Sequence, residues 1–247
     1  MPYLLLVVTT LFWSGNFVLG RGMHAAMPPL ALSFWRWILA LAILLVVAHN
    51  PLWQQRFLLR RHARFILIQG VLGVTGFNTL LYLAMQYTTV INAVLVNSCI
   101  PVLIALFSWL LYRETLLPRQ CAGVLLSLLG VMLIMVKGEI SMLLQVSFNR
   151  GDLLVLAAAV VWALYSSNLK KYPRELHPLA YLTAISLVGL VGILPFYLLE
   201  LSMGKGFILN TATMITIVYV AVFASVLAFI RPKKRLKPPP FRRVAFC

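Results

Sequence analysis

The sequence predicts an all-α polytopic membrane bundle, on three observations. Eight long apolar stretches alternate with short loops. Of the 247 residues, 62% are hydrophobic and 11% are charged. The basic residues collect in alternate loops. A hydrocarbon core takes about 20 apolar residues per helical crossing. Backbone polar groups in lipid must be satisfied within the crossing segment or in a closed barrel. Barrel strands read as short alternating segments, whereas these runs are continuously apolar. The predicted crossings are Tyr3–Leu19, Leu30–Ala48, Phe65–Met85, Val90–Tyr112, Cys121–Val136, Leu153–Leu169, Leu179–Leu199 and Ala212–Ile230.

The first run has no charged segment ahead of it and opens a multi-span chain, so it reads as a span and not as a cleavable leader. It carries Trp13 and Asn16 on one face. The second carries Arg36, six residues past Leu30, about 9 Å along the helix axis. An intramembrane charge is a functional candidate by default. The competing reading is a guanidinium that snorkels to the nearby interface. The loop 49–64 follows, with four arginines.

The third run places Asn78 and Tyr82 on one face and Thr75 and Thr79 on a nearby one. Its Gly70, Gly73 and Gly76 suit close helix approach. In the fourth, Pro101 removes a backbone hydrogen bond and predicts a bend with a freed carbonyl beside Asn97. Glu114 ends that run and is expected to pair with Arg113 or Arg119. In the fifth, Gly123 and Gly130 are expected to pack against a neighbour. Residues 137–151 form a mixed loop whose apolar piece, Met142–Phe148, is too short to span. The sixth run follows Gly151 and Asp152 and carries Trp162 and Tyr165 on one face. None of the eight predicted crossings contains Asp or Glu, so no membrane carboxylate is available for proton coupling.

The net charge of +16 first suggests nucleic acid, but its distribution argues otherwise. With the N-terminus in the cytoplasm, sixteen of the 21 Lys and Arg fall on the cytoplasmic side and four on the other. Both termini are therefore expected in the cytoplasm of an inner-membrane protein. Cys99, Cys121 and Cys247 make neither a disulfide framework nor a metal spacing, and the four His are scattered. No enzyme, cofactor or metal chemistry is indicated. The expected partners are a small-molecule substrate and membrane lipid, with a homo-oligomer or a partner subunit left open.

Near residue 150 the chain begins to echo its own start. LLLVVTTLFWSGNF from Leu4 parallels LLVLAAAVVWALYS from Leu153, and Trp13 aligns with Trp162 at an offset of 149. Five helices per unit would insert the second unit upside down. That is a frequent plan of secondary transporters, with the substrate site between the halves.

The segment from Ile100 to Ile134 contains Pro101, an aromatic-rich run to Glu114, Gln120, Gly123 and Gly130. It resembles the helix 4–5 signature of the EamA-type drug/metabolite transporter superfamily. Trp13-Ser14-Gly15-Asn16, the Arg36 stretch, and Gly151-Asp152 followed by Trp162-Ala163 resemble the same family. The resemblance covers about residues 1–230. It implies an exporter or importer of small metabolites built from two inverted five-helix units, the second incomplete here. On this reading, residues 1–137 are the first unit, 138–150 a connecting loop, 151–230 a partial second unit and 231–247 a basic tail. The tail, RPKKRLKPPPFRRVAFC, replaces the expected last two helices. Out-of-frame translation, a true truncation and a genuine cytoplasmic tail all stay open as its origin.

The expected function is transport, in the direction of efflux, of small organic solutes (amino acids, related metabolites or amphipathic drugs) by alternating access. The expected substrate-binding residues are Trp13, Asn16, Arg36, Asn78, Tyr82, Asn97, Pro101, Trp162 and Tyr165. A non-transporting remnant and a scaffold that needs a partner chain are the alternatives.

Overall fold

The computed structural model describes residues 2–114, 117–136 and 149–227. The connecting piece Met142–Phe148 and the tail 231–247 lie outside the described residues. Among the described residues the ordered structure is helical throughout, and the chain is a polytopic membrane bundle.

The helices are α1 (Pro2–Gly22), α2 (Pro29–Val47), α3 (His49–Gln54) and α4 (Arg56–Arg61). Next come α5 (Ala63–Ala84), α6 (Val90–Tyr112) and α7 (Pro118–Val136). The last are α8 (Arg150–Asn168, extended by a 3₁₀ turn Leu169–Lys171), α9 (Pro178–Ser202) and α10 (Thr211–Tyr219, continued by a π-helical segment Val220–Leu227). Each predicted crossing has its helix. Five of them are long and apolar enough to span by length and composition: α2, α5, α6, α8 with its 3₁₀ turn, and α9.

The loop predicted over 49–64 is instead two short helices, α3 and α4, separated by kinks at Ala48, Gln55 and His62. Apolar residues recur every three or four positions there, a period that the arginine content hid from a span-centred reading.

Two elements carry π-helical segments. α5 carries a π-helical segment at Val71–Gly76, and α10 enters one at Val220. The two begin 149 residues apart, the same offset that relates Trp13 to Trp162. α6 stops at Asn97, turns through Ser98 and Cys99 and resumes at Ile100, with Pro101 in the first turn of the second half. Proline is tolerated in a first turn because the N–H it lacks would have no partner there. Near the bend predicted from Pro101 the α-helix is thus interrupted for two residues, Ser98 and Cys99.

α2 and α9 pack along their lengths, and α8 lies between α5 and α6. One buried cluster joins Trp37, Ala40 and Leu44 of α2 with Val74 of α5, Tyr165 of α8 and Ile185 and Ile193 of α9. A second joins Leu81 and Ala84 to Ala93, Val155 and Ala158. Glycine sets the spacing where helices approach closely, as at Gly73 and Gly189. A Cβ on Gly73 would stand 2.6 Å from the Tyr165 ring, and one on Gly189 would collide with Val74. Gly123 and Gly130 have no atom within 4 Å of where a Cβ would be, so the packing expected of them is absent among the described residues.

The helix ends meet at two poles. At one, Asp152 accepts a hydrogen bond from Thr88 Oγ1, and Glu200 accepts from the backbone N–H groups of Leu30 (3.4 Å) and Ala31 (2.8 Å). At the other, Lys170 pairs with Glu114, and Tyr112 donates to Asn168 Oδ1 at 3.0 Å. Glu114 thus pairs with Lys170, not with Arg113 or Arg119 as expected. Arg113 adopts a left-handed backbone (φ 53°) at the end of α6, with its guanidinium 5.5 Å from the Trp109 ring.

The expectation of no carboxylate within a span also fails. α8 begins three residues earlier than predicted and includes Asp152, and α9 ends three residues later and includes Glu200. Both side chains are buried. Part of the cost of their burial is offset because each caps a helix N-terminus. Asp152 closes a capping box with Asn149 on its own helix, and Glu200 caps α2 from across the bundle.

Candidate substrate cavity

The residues that surround the break in α6 converge on a cavity of about 110 Å³. α1 contributes Trp13, Asn16 and Phe17, and α2 contributes Arg36 and Trp37. α5 contributes Gly73, Phe77, Asn78 and Leu81. The α6 break supplies Asn97 and Ile100, and α8 supplies Trp162.

Arg36 is the charged member. Its residue is 3% exposed, so the snorkelling reading is wrong: the side chain points into the bundle. An unpaired charge in a membrane interior is costly, and several contacts offset that cost. Nη2 donates to Asn78 Oδ1. The guanidinium carbon lies 5.1 Å from the ring centroids of both Trp37 and Tyr82, within range for cation–π attraction.

Asn78 is held in turn by the irregularity of α5. Its Nδ2 donates to Gly73 O (3.2 Å) and Val74 O (2.8 Å), carbonyls inside the π-helical segment. With its amide committed to the backbone, its Oδ1 is turned to the guanidinium. Tyr82 donates to Asn16 Oδ1 at 2.5 Å, which ties α5 to α1 behind the cavity.

Among the buried polar atoms without a hydrogen-bond partner are Arg36 Nε, Trp37 Nε1 and Asn97 Oδ1. All three of these residues line the cavity. Two donors and one acceptor are therefore unsatisfied, and each unmade bond costs roughly 1–3 kcal/mol. The walls between them are aromatic. Trp13 and Trp162 meet edge to face with centroids 5.9 Å apart, and Phe77 lies 4.5 Å from Trp162. No Asp or Glu lines the cavity, so its fixed charge is positive.

Six of the nine residues singled out from the sequence line this space: Trp13, Asn16, Arg36, Asn78, Asn97 and Trp162. The other three stand behind it. Tyr82 braces Asn16 and Arg36. Tyr165 packs against Gly73 and Trp162. Pro101 breaks the helix that presents Asn97. Trp37 was missed, along with the apolar lining of Phe17, Phe77, Leu81 and Ile100. A signal for Trp37 existed: Ser33, Arg36, Trp37, Ala40 and Leu44 recur at helical spacing and are all buried, whereas Trp35 is 40% exposed.

The model of the EamA-like transporter family matches residues 1–136 and 149–231. A protein of Archaeoglobus fulgidus named an uncharacterized transporter is 32% identical over 237 residues, 92% of this chain and 77% of its own length. The uncharacterized transporter YyaM of Bacillus subtilis is 26% identical over 192 residues, 78% of this chain. This chain spans 63% of YyaM's length. The aromatic amino acid exporter YddG of Ancylobacter novellus is 29% identical over 107 residues, 43% of this chain and 37% of its own. A crystal structure superposes with a TM-score of 0.65 at 21% identity, over 92% of this chain and 75% of that one, and supports the fold.

Proposed function

Because the chain belongs to the EamA-like transporter family, we propose that its transport substrate is a small organic solute bearing a carboxylate, bound in the cavity beside Arg36. Amino acids and related metabolites come first, and amphipathic drugs with an anionic group second. One observation carries this reading. Arg36, Trp37 and Asn97 line one cavity, and each carries a buried polar atom without a partner: Nε, Nε1 and Oδ1. A carboxylate accepts from the two donors, and an ammonium or hydroxyl on the same solute donates to Asn97. The apolar part lies against Trp13, Phe77 and Trp162. The name of the distant relative YddG, an aromatic amino acid exporter, supports an aromatic side chain in that place and export as the direction.

Alternating access is the proposed cycle, with residues 1–137 and 151–230 as two inverted units that rock about the cavity. The contact of Trp13 with its counterpart Trp162 supports that division, as do two π-helical segments at the same offset. The protein is placed in the inner membrane with both termini cytoplasmic. A complete cycle by this chain alone is part of the proposal.

The test is efflux of labelled aromatic amino acids from loaded proteoliposomes. R36A abolishes efflux. R36K keeps the charge but loses the planar fork, and efflux falls at least about tenfold, the equivalent of roughly 1.4 kcal/mol. Unchanged efflux by R36A at normal protein level sinks the assignment.

A further inference from the structure

We propose that the arch formed by the end of α2, α3 and α4 binds an acidic phospholipid, with its phosphate between Arg56 and Arg60 and an acyl chain in the adjoining groove. The groove, of about 410 Å³, is lined by Leu45, Leu52 and Leu59 together with His49, Arg56 and Arg60. It lies apart from the substrate cavity, with no lining residue in common.

The sequence builds this surface by period. Residues 45, 49, 52, 56 and 59 follow one another by alternating steps of four and three, which keeps them on one helical face. The backbone kinks at Ala48 (φ −100°, ψ 6°), Gln55 (φ −104°, ψ 16°) and His62 (φ −101°, ψ 20°). These kinks are seven residues apart, so each repeats after the same number of turns and the face is preserved along the arch.

The other side of the arch is fastened to the bundle. Gln55 Nε2 donates to Glu175 O at 3.0 Å, Gln55 Oε1 accepts from His177 N at 2.6 Å, and His62 lies 3.5 Å from Glu175. The groove face is left to the surroundings, with Trp53 69% and Phe57 68% exposed. Trp at a helix end in a spanning protein marks the head-group level. A short arginine-rich amphipathic segment at that level lies in the interface.

Charge complementarity selects the occupant. Neither Arg56 nor Arg60 has a carboxylate partner among the described residues, where the ion pairs are His62–Glu175 and Lys170–Glu114. The Arg56 guanidinium instead lies 4.6 Å from the Trp53 ring and 4.9 Å from the Phe57 ring. Aromatic contact holds its plane and leaves its N–H edge open. Arginine binds phosphate through two parallel N–H donors, and the leucines beside it match an acyl chain. A soluble anion would use the arginines and leave the leucines bare.

The test is native mass spectrometry of the full chain in detergent, titrated with phosphatidylglycerol or phosphatidylcholine. Phosphatidylglycerol is retained in preference. In R56Q/R60Q its affinity falls about twenty-fivefold, at about fivefold per arginine; should that variant fail to fold, R60Q alone shows the fivefold loss. R61Q/R64Q, which alters arginines that do not line the groove, keeps wild-type retention. Inorganic phosphate and deacylated glycerophosphoglycerol leave the bound lipid in place. Equal retention of the two lipids overturns the proposal, and so does an equal loss in both double variants. Displacement by inorganic phosphate overturns it in favour of a soluble anion. None of these readings depends on transport.

Discussion

At the residue scale, burial separates two kinds of polar side chain in this membrane protein. Glu200 has its bonds made: it is buried and accepts from two N–H groups at the start of α2. Arg36 has them only partly made, with Nη2 on Asn78 and Nε buried without a partner. The first pattern is structural, and the second fits the binding role proposed for Arg36. E200Q should therefore lower thermal stability by about 1 kcal/mol, the scale of a lost helix cap, through a weaker acceptor at the α2 terminus. Substrate affinity should stay unchanged in the folded fraction. Melting in detergent alongside a binding isotherm checks this, and an affinity loss as large as that of R36A would place Glu200 in the site. The sequence made Arg36 visible because a lone charge inside an apolar run stands out. Glu200 was illegible as a cap because its partner amides lie 169 and 170 residues away, and hydropathy ends a span at the last apolar residue.

At the element scale, interruptions of regular helix place the cavity groups. The π-helical segment of α5 offers the Gly73 and Val74 carbonyls to Asn78. The break at Ser98–Cys99 ends the first half of α6 at Asn97. Such departures are common at functional sites. The break was legible, since proline leaves a definite mark, but the π-helical segment was not. It depends on close packing of α5 against α8 and α9, in which glycine and a bulky residue from different helices interlock. That interlocking predicts the cost of adding one carbon. G189A, which drives a methyl into Val74, should destabilise the bundle by about 1–3 kcal/mol, the usual penalty for overpacking. G123A, with open space around it, should be neutral or slightly stabilising through its better helix propensity. Thermal melts of the two variants compare them directly, and equal stability would mean that the α5–α9 contact yields without strain.

At the scale of the whole molecule, the two poles sort the charges. Arg56, Arg60, Glu114 and Lys170 belong to the pole where α4 ends and α5 begins, and the proposed topology puts this basic pole on the cytoplasmic side. A reporter fused after Gly138, beyond the end of α7, should therefore read as external. A cytoplasmic signal there would invert the topology and place the arch on the outer leaflet. The order of the helices followed from apolar length alone. The helical nature of residues 49–61 did not, because Arg56, Arg60 and Arg61 mask the period.

The edge-to-face contact of Trp13 with Trp162 has a consequence for energetics. A residue that touches its own counterpart sits where exchange of the two halves maps the contact onto itself. A rocking motion that swaps the roles of the halves turns about such a point and leaves it in register at both ends of the stroke. With interchangeable halves, the two end states would then be equal in energy, and only differences between the halves would tilt the balance. Arg36 is such a difference: the position 149 residues later is Ile185. In the proposed cycle one guanidinium would serve both end states, and the resting preference of the empty protein would lie in the residues where the two halves disagree.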